Sequence, residues 1–377
     1  MQLTLVAGAR PNFMKVAPLL VAARRLRLAC RLVHTGQHYD EQMSDRFFDE
    51  LELPRPDSDL GVGSGTHAVQ TAKVMIGFDD ELERHPADAV VVVGDVNSTL
   101  ACALVAAKRG VAIAHVEAGL RSGDRRMPEE INRVLTDHLA DWLFTTERSA
   151  EENLVAEGIP RSRIHFVGNV MIDTLLCHRQ RVLGRSVLTD LGLVPGEYAL
   201  CTLHRPSNVD TPDDARNTVD ALREVADRLM TVVPLHPRTQ ARLREFGLLA
   251  ALQSSKRLLV TDPKGYLDFL ALMSQARIVF TDSGGIQEET TALGIPCLTF
   301  RENTERPVTV THGTNQLLGV DPKRTGRAVD DVLAGRGPDG RIPALWDGRA
   351  AERILEILAP RARLETVDGL ETHTAVA

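Results

Sequence analysis

Short β-branched runs alternate with amphipathic stretches along almost the whole chain. In the first half, Leu3–Ala7, Arg31–His34, Ala89–Val93, Val111–Val116, Trp142–Thr145 and Ile164–Val167 read as strands. Between them, helical periodicity runs over Asn12–Arg27, Thr66–Glu83, Ser98–Lys108, Pro128–Ala140 and Ala150–Glu157. The pattern restarts after Gly168 with strands near Tyr198–Thr202, Thr231–Pro234, Arg257–Val260, Ile278–Phe280 and Cys297–Thr299. Helices of that half are Pro212–Leu229, Pro237–Leu248, Tyr266–Ser274 and Gly285–Leu293. Such alternation implies parallel sheets with helices on both faces, so the fold class is α/β. Two successive runs, each able to bury its own sheet, predict two Rossmann-like domains over 1–168 and 169–348. A helix near 349–360 is expected to pack back on the first, and 361–377 to be a flexible polar tail.

Length supports two domains, because 377 residues exceed one ordinary core. The net charge of −7 excludes a broad basic surface for nucleic acid, so any phosphate must be gripped locally. No apolar stretch approaches the roughly 20 residues of a membrane span, and no leader is visible. Five scattered cysteines without a C-x-x-C pair read as small core residues in a reducing compartment. The expected location is the cytoplasm.

Ligands of open α/β sheets bind beyond the carboxyl ends of the strands. The most informative such end is Arg277–Glu289. Its apolar run breaks at Asp282-Ser283-Gly284-Gly285 and restarts as a helix. Glycines there admit a ligand to the backbone, and the helix N-terminus offers unpaired N–H donors and partial positive charge. Glu289 follows one turn later, placed to accept hydrogen bonds from a ribose diol. A turn that merely reverses the chain is the plainer alternative.

Other strands also end in polar clusters: Gly8–Asn12 with Lys15, Gly94–Ser98, Glu117–Arg121, His204–Pro206 and His236–Arg238. They converge on one cleft if the two sheets face each other. Singly, each has a bland reading: a strand-end Asp as a cap, His115 or His312 as satisfied structural residues, Lys15 as solvated. Glu129 and Glu130 follow Pro128, where they also suit a helix N-terminus. Together, Asp95, Glu117, Glu129 and His204 could serve as acids and bases. The glycine run Gly61–Gly65 follows a polar loop, Pro54–Leu60, instead of a strand, which argues against bound NAD. No metal spacing is present, and no cofactor is expected.

Seven segments now carry a resemblance: GARPNFMKVAPLL (Gly8–Leu20), TGQHYDEQMSD (Thr35–Asp45), GDVNSTLA (Gly94–Ala101), HVEAGLRSGDRRMPEEINR (His115–Arg133), TLHRPSNVD (Thr202–Asp210), TDSGGIQEE (Thr281–Glu289) and RENTERP (Arg301–Pro307). In this order, over roughly 1–358, the chain resembles the non-hydrolysing UDP-N-acetylglucosamine 2-epimerases. The resemblance implies a glycosyltransferase-B arrangement of the two domains and a homodimer. It implies interconversion of UDP-GlcNAc and UDP-ManNAc at C2, through elimination of UDP to a 2-acetamidoglucal. Ser283, Gly284 and Gly285 would then hold the pyrophosphate and Glu289 the ribose. Arg10, Lys15, His236 and Arg306 would help to hold the nucleotide. Uracil would meet the backbone near Lys264 and the ring of Phe269. Asp95, Glu117, Glu129 and His204 would form the acid–base set.

Alternatives stay open. TGQHYDEQMSD and MPEEINR look like the branch acting on UDP-2,3-diacetamido-2,3-dideoxyglucuronate, where Arg125, Arg126 or Arg205 could serve the sugar carboxylate or merely a solvated loop. The Gln37–Asp40 region departs from members activated by their own substrate. A hydrolysing relative, a glycosyltransferase and a non-catalytic nucleotide-sugar sensor complete the set.

Overall fold

A computed structural model describes residues 1–36, 50–203 and 208–368, with backbone only at Arg10 and over 360–368. The chain divides into two compact units. The first comprises Met1–Thr174 with Ala344–Ala377, and the second Leu175–Pro343.

The first unit is built on β1 (Gln2–Ala7), β2 (Ala29–His34), β3 (Ser58–Asp59), β4 (Ala89–Val93), β5 (Ala112–Ala118), β6 (Trp142–Thr145) and β7 (Ile164–Phe166). Their order is β3-β2-β1-β4-β5-β6-β7, all parallel. Strand order reverses between β1 and β4, and that switch point opens a crevice at their carboxyl ends. Val90, Val92 and Ile113 pack with Val74 and Phe78 and the alanine-rich helix Asn97–Arg109. Fully buried strands explain the unbroken apolar runs in the sequence. Ser58–Asp59, within the expected polar loop, instead forms an edge strand of two residues beside β2. Gly61–Gly65 therefore does follow a strand, but the next helix opens at His67 behind the Thr66 N-cap.

Residues 344 onward belong to the first unit. Trp346 donates its indole N–H to the Thr146 carbonyl at 2.9 Å. Asp173 accepts the backbone N–H groups of Ala350 and Ala351, capping the C-terminal helix at 3.1 and 2.7 Å. By its backbone that helix runs over Ala350–Asp368.

The second unit repeats the architecture with β8 (Tyr198–Thr202), β9 (Met230–Pro234), β10 (Leu258–Thr261), β11 (Ile278–Thr281), β12 (Cys297–Thr299) and β13 (Asn315–Leu317). The order is β10-β9-β8-β11-β12-β13, again all parallel, with the switch between β8 and β11. Phe280 and Phe300 pack at 5.6 Å in a core with Val233, Leu222 and Val329. The two parallel sheets bear out the α/β, Rossmann-like expectation. Among the described residues, no helix is long and apolar enough to cross a membrane.

Candidate functional site

In the first unit, β4 runs into Gly94-Asp95 and β5 into Glu117. The pairing of β5 with β6 shifts register between Val116 and Ala118, so Glu117 is the extra residue of a bulge. Its φ is +73°, a left-handed conformation that costs a side-chain-bearing residue on the order of 1–3 kcal/mol. The bulge turns the Glu117 carboxylate onto the Lys15 ammonium, and both side chains are buried. Gly94 completes the pocket at φ +69°, since a Cβ there would stand 2.8 Å from Lys15 Nζ. Asp95 is one residue further and one quarter exposed. Arg133 binds its Oδ2 through Nε at 3.0 Å and Nη2 at 2.9 Å.

The helix Pro128–Leu139 supplies that arginine and inverts the usual helical pattern. Its inward residues are Glu130, Asn132, Arg133, Thr136 and Asp137, whereas Ile131 and Leu135 are exposed. Asn132 donates to the Asp95 carbonyl at 2.9 Å. Glu130 accepts the N–H groups of Ser122 and Gly123 at 3.0 and 2.9 Å and pairs with Arg133. Burial alone would raise the Glu130 carboxyl, but those N–H donors and Arg133 hold it below the usual range. Glu130 is thus a structural brace. Glu129, half-buried in the same first turn, makes no hydrogen bond or ion pair among the described residues.

In the second unit, β11 ends at Thr281 and the helix Gly284–Leu293 begins three residues later with Ser283 as N-cap. The Ser283 side chain makes no capping bond, which leaves the first N–H groups of the helix to a ligand. Arg306 lies against this terminus. A Cβ on Gly284 would fall onto its guanidinium, with Cζ at 2.9 Å. Glu288 holds Arg306 Nε at 2.9 Å and Glu305 holds Nη1 at 2.6 Å. Asp282 is fully buried and accepts from Asn208 at 2.8 Å.

Glu289, on the same helix, is buried and accepts from the Tyr266 hydroxyl at 3.3 Å. Burial pushes its carboxyl up to about 8, against the Tyr266 hydrogen bond and with the Glu288 charge adding to the rise. Half-buried Lys264 and Phe269 flank the start of the helix Tyr266–Ser274, beyond β10. His236 caps the helix Pro237–Glu245 beyond β9, exposed, with its ring accepting the Arg238 N–H at 3.3 Å.

The structure therefore gathers Lys15, Asp95 and Glu117 at the switch point of the first sheet. It places His236, Lys264, Phe269, Ser283, Gly284, Gly285, Glu289 and Arg306 along the carboxyl edge of the second or on the helix that leaves it. The Arg10 side chain, His204, Arg205 and the Gln37–Asp40 region lie outside the described residues. Sequence reasoning missed Arg133, the partner of Asp95, and Glu288 and Glu305, which fix Arg306. Among the described residues, no His, Cys, Asp and Glu group could hold a metal ion.

Two parallel sheets with polar groups and a free helix N-terminus at their switch points define a nucleotide-binding class of α/β protein. The family model for UDP-N-acetylglucosamine 2-epimerase matches residues 22–359. The UDP-N-acetylglucosamine 2-epimerase of Methanocaldococcus jannaschii is 42% identical over 368 residues, spanning 95% of this chain and 99% of its own. Its crystal structure in complex with UDP-GlcNAc and UDP superposes with a TM-score of 0.88 at 41% identity, covering 96% and 100% of the two chains. The UDP-2,3-diacetamido-2,3-dideoxy-D-glucuronate 2-epimerase of Pseudomonas aeruginosa is 40% identical over 372 residues, 95% of this chain and 99% of its own. The chain belongs to the UDP-N-acetylglucosamine 2-epimerase family.

Proposed function

We propose that this protein is a non-hydrolysing isomerase that interconverts UDP-N-acetylglucosamine and UDP-N-acetylmannosamine. The observation that carries the reading is the pair Asp95 and Glu117 at neighbouring strand ends, Glu117 being held in a strained bulge against Lys15. A carboxylate removes the C2 proton as the C1–O bond breaks, UDP leaves with the bonding pair, and a C1=C2 glucal remains. A proton then returns to the other face of C2, and a diphosphate oxygen re-adds to C1. The sequence is redox-neutral. The C2 proton is weakly acidic, so stabilising the leaving diphosphate is the larger share of the work.

Arg306, the Ser283 hydroxyl and the N–H groups at Gly284 and Gly285 would take the diphosphate. Glu289 would take the ribose, and Phe269 with the backbone near Lys264 the uracil. Arg10 and His236 would assist with the phosphates. Lys15 would balance Glu117 and reach phosphate only after Glu117 takes a proton. Asp95, Glu117, Glu129 and His204 would carry the proton transfers. Holding the glucal beside UDP makes re-addition effectively unimolecular, so water must be excluded. The domains would accordingly be the two nucleotide-sugar-holding halves anticipated from sequence.

Proton NMR of UDP-GlcNAc with the protein in D₂O tests the reading. The expected result is loss of the H2 signal with a new manno-type anomeric resonance. Free ManNAc with UDP would mean a hydrolysing enzyme, and an unchanged spectrum would remove the proposed activity.

The Pseudomonas relative raises the diacetamido sugar acid as a second substrate. Arg126, one candidate for its carboxylate, is exposed and pairs with Asp124 at 2.8 Å, a surface contact a sugar carboxylate could replace. Relative kcat/KM on the two sugars decides.

The working form is proposed to be a homodimer in the cytoplasm. Val69 and Ile76 on the helix His67–Arg84, with Ile131 and Leu135 on Pro128–Leu139, give an exposed apolar face for a second copy. Light scattering should report twice the chain mass, and Ile131→Asp with Leu135→Asp should halve it.

A further inference from the structure

Between the two proposed acid–base groups lies a buried unit that no step of the reaction uses. His115, on β5, is fully buried, and so is Asp137, on the helix Pro128–Leu139. His115 Nε2 stands 2.8 Å from the Gly94 carbonyl oxygen, and Nδ1 stands 2.6 Å from Asp137 Oδ1. A carbonyl oxygen only accepts, so Nε2 carries a proton. The other Asp137 oxygen receives the Gly119 N–H at 3.1 Å and Arg121 Nη1 at 2.7 Å. Burial would raise the Asp137 carboxyl, but His115 and Arg121 hold it below the usual range. The short contact of Nδ1 with Asp137 Oδ1 holds a proton between them. The ring is clamped between the two loops from both of its nitrogens.

Its two ends meet different loops. The Gly94 carbonyl belongs to the turn that presents Asp95. Through Asp137, the other end fixes the Gly119 N–H, two residues past the bulge that presents Glu117. Arg121 extends the unit to Glu157 through Nε at 2.8 Å and Nη2 at 2.7 Å. The same helix grips Asp95 directly through Arg133. A strained residue keeps its conformation only where its surroundings over-determine it, and here the surroundings are this network.

We propose that His115 and Asp137 form a positioning pair, a buried imidazole–carboxylate bridge that sets the distance between the Asp95 turn and the Glu117 bulge. The proposal rests on the reading of Asp95 and Glu117 as proton-transfer groups. Neither bridge residue touches substrate. Their task is register: two groups must address opposite faces of one carbon, and a displacement of about 1 Å can cost on the order of 10²-fold in rate.

The experiment compares wild type, His115→Gln and Asp137→Asn as full chains. With UDP-GlcNAc in D₂O, both variants should lose on the order of 10²-fold in kcat with KM and UDP affinity nearly unchanged. They should also release free 2-acetamidoglucal, because protonation of the intermediate lags behind its escape. Selective ¹⁵N labelling of histidine in wild type should show His115 Nε2 carrying a proton. Wild-type turnover in both variants, or a ring without a proton on Nε2, overturns the bridge. So does a loss of kcat that only parallels a loss of UDP binding, since that marks general damage. Should the His115 variant fail to fold, Arg121→Gln at the rim of the network carries the same test. An inactive wild type would instead bring down the epimerase reading itself, which keeps the two failures apart.

Discussion

The two units share one topology but handle charge in opposite ways. In the first, the carboxylates near the switch point each have a cation: Lys15 for Glu117, Arg133 for Asp95 and Glu130, Arg121 for Asp137. Pairing offsets what burial costs a charge. In the second, Arg306 and Arg301 share Glu305, and Arg306 also takes Glu288, yet among the described residues Glu289 on the next position has a hydroxyl and no cation beside it. Burial pushes its carboxyl up to about 8. One edge sets its carboxylates against cations. The other keeps a proton in store until a ligand displaces it.

The sharpest way to break this contrast is to neutralise one site and ask whether the other notices. Asp95→Asn and Glu117→Gln should each lower turnover by on the order of 10²-fold or more, while calorimetry finds no loss of UDP affinity. A matching loss of UDP affinity would mean that the division of labour is false. Next in size is Gly284→Ala. Its methyl group would displace the Arg306 guanidinium from the helix N-terminus, and a long side chain can move without unfolding the unit. UDP binding should weaken on the order of 30-fold, about 2 kcal/mol, with an unchanged melting temperature. Full affinity would separate Arg306 from the diphosphate.

The contrast was only half legible in the sequence. The second site could be read because glycines at a strand-to-helix turn are rare and their physics is local. The first site depends on contacts across the sheet. Glu130, Arg133 and Asp137 lie at helical spacing and look like a solvated stripe, yet they face inward while Ile131 and Leu135 face out. Periodicity finds a helix without saying which face is buried when the usual polarity is reversed. Nothing in the run His115–Ala118 announces a bulge either, since the extra residue emerges only from pairing with β6. Lys15 illustrates the same limit, being solvated in the plain reading and buried on Glu117 in the fold.

Short elements escaped for a different reason. β13 is three residues long, two of them polar, and its place is set by pairing with β12. The helix Pro322–Leu333 is another matter. Asp321 caps it by accepting the Arg324 N–H, Pro322 opens it, and Ala328, Val329 and Val332 form its buried stripe. Those signals were all in the chain, and the helix could have been read from them.

The smallest predicted effect probes Glu289 alone. A ribose diol donates two hydrogen bonds to the ionised carboxylate, so ligand binding favours the deprotonated form and releases a proton. The free protein holds that proton below about 8. Affinity must therefore fall as pH drops below that value and level off above it. UDP-GlcNAc is the suitable ligand, because its diphosphate does not titrate in this range. Between pH 7 and 8.5 the ionised fraction of a group near 8 rises roughly eightfold, and affinity should rise by about that factor. Glu289→Gln removes the titration and should flatten the profile. A flat wild-type profile would show that Glu289 is already ionised before ligand arrives, and the two edges of the molecule would then be charged alike.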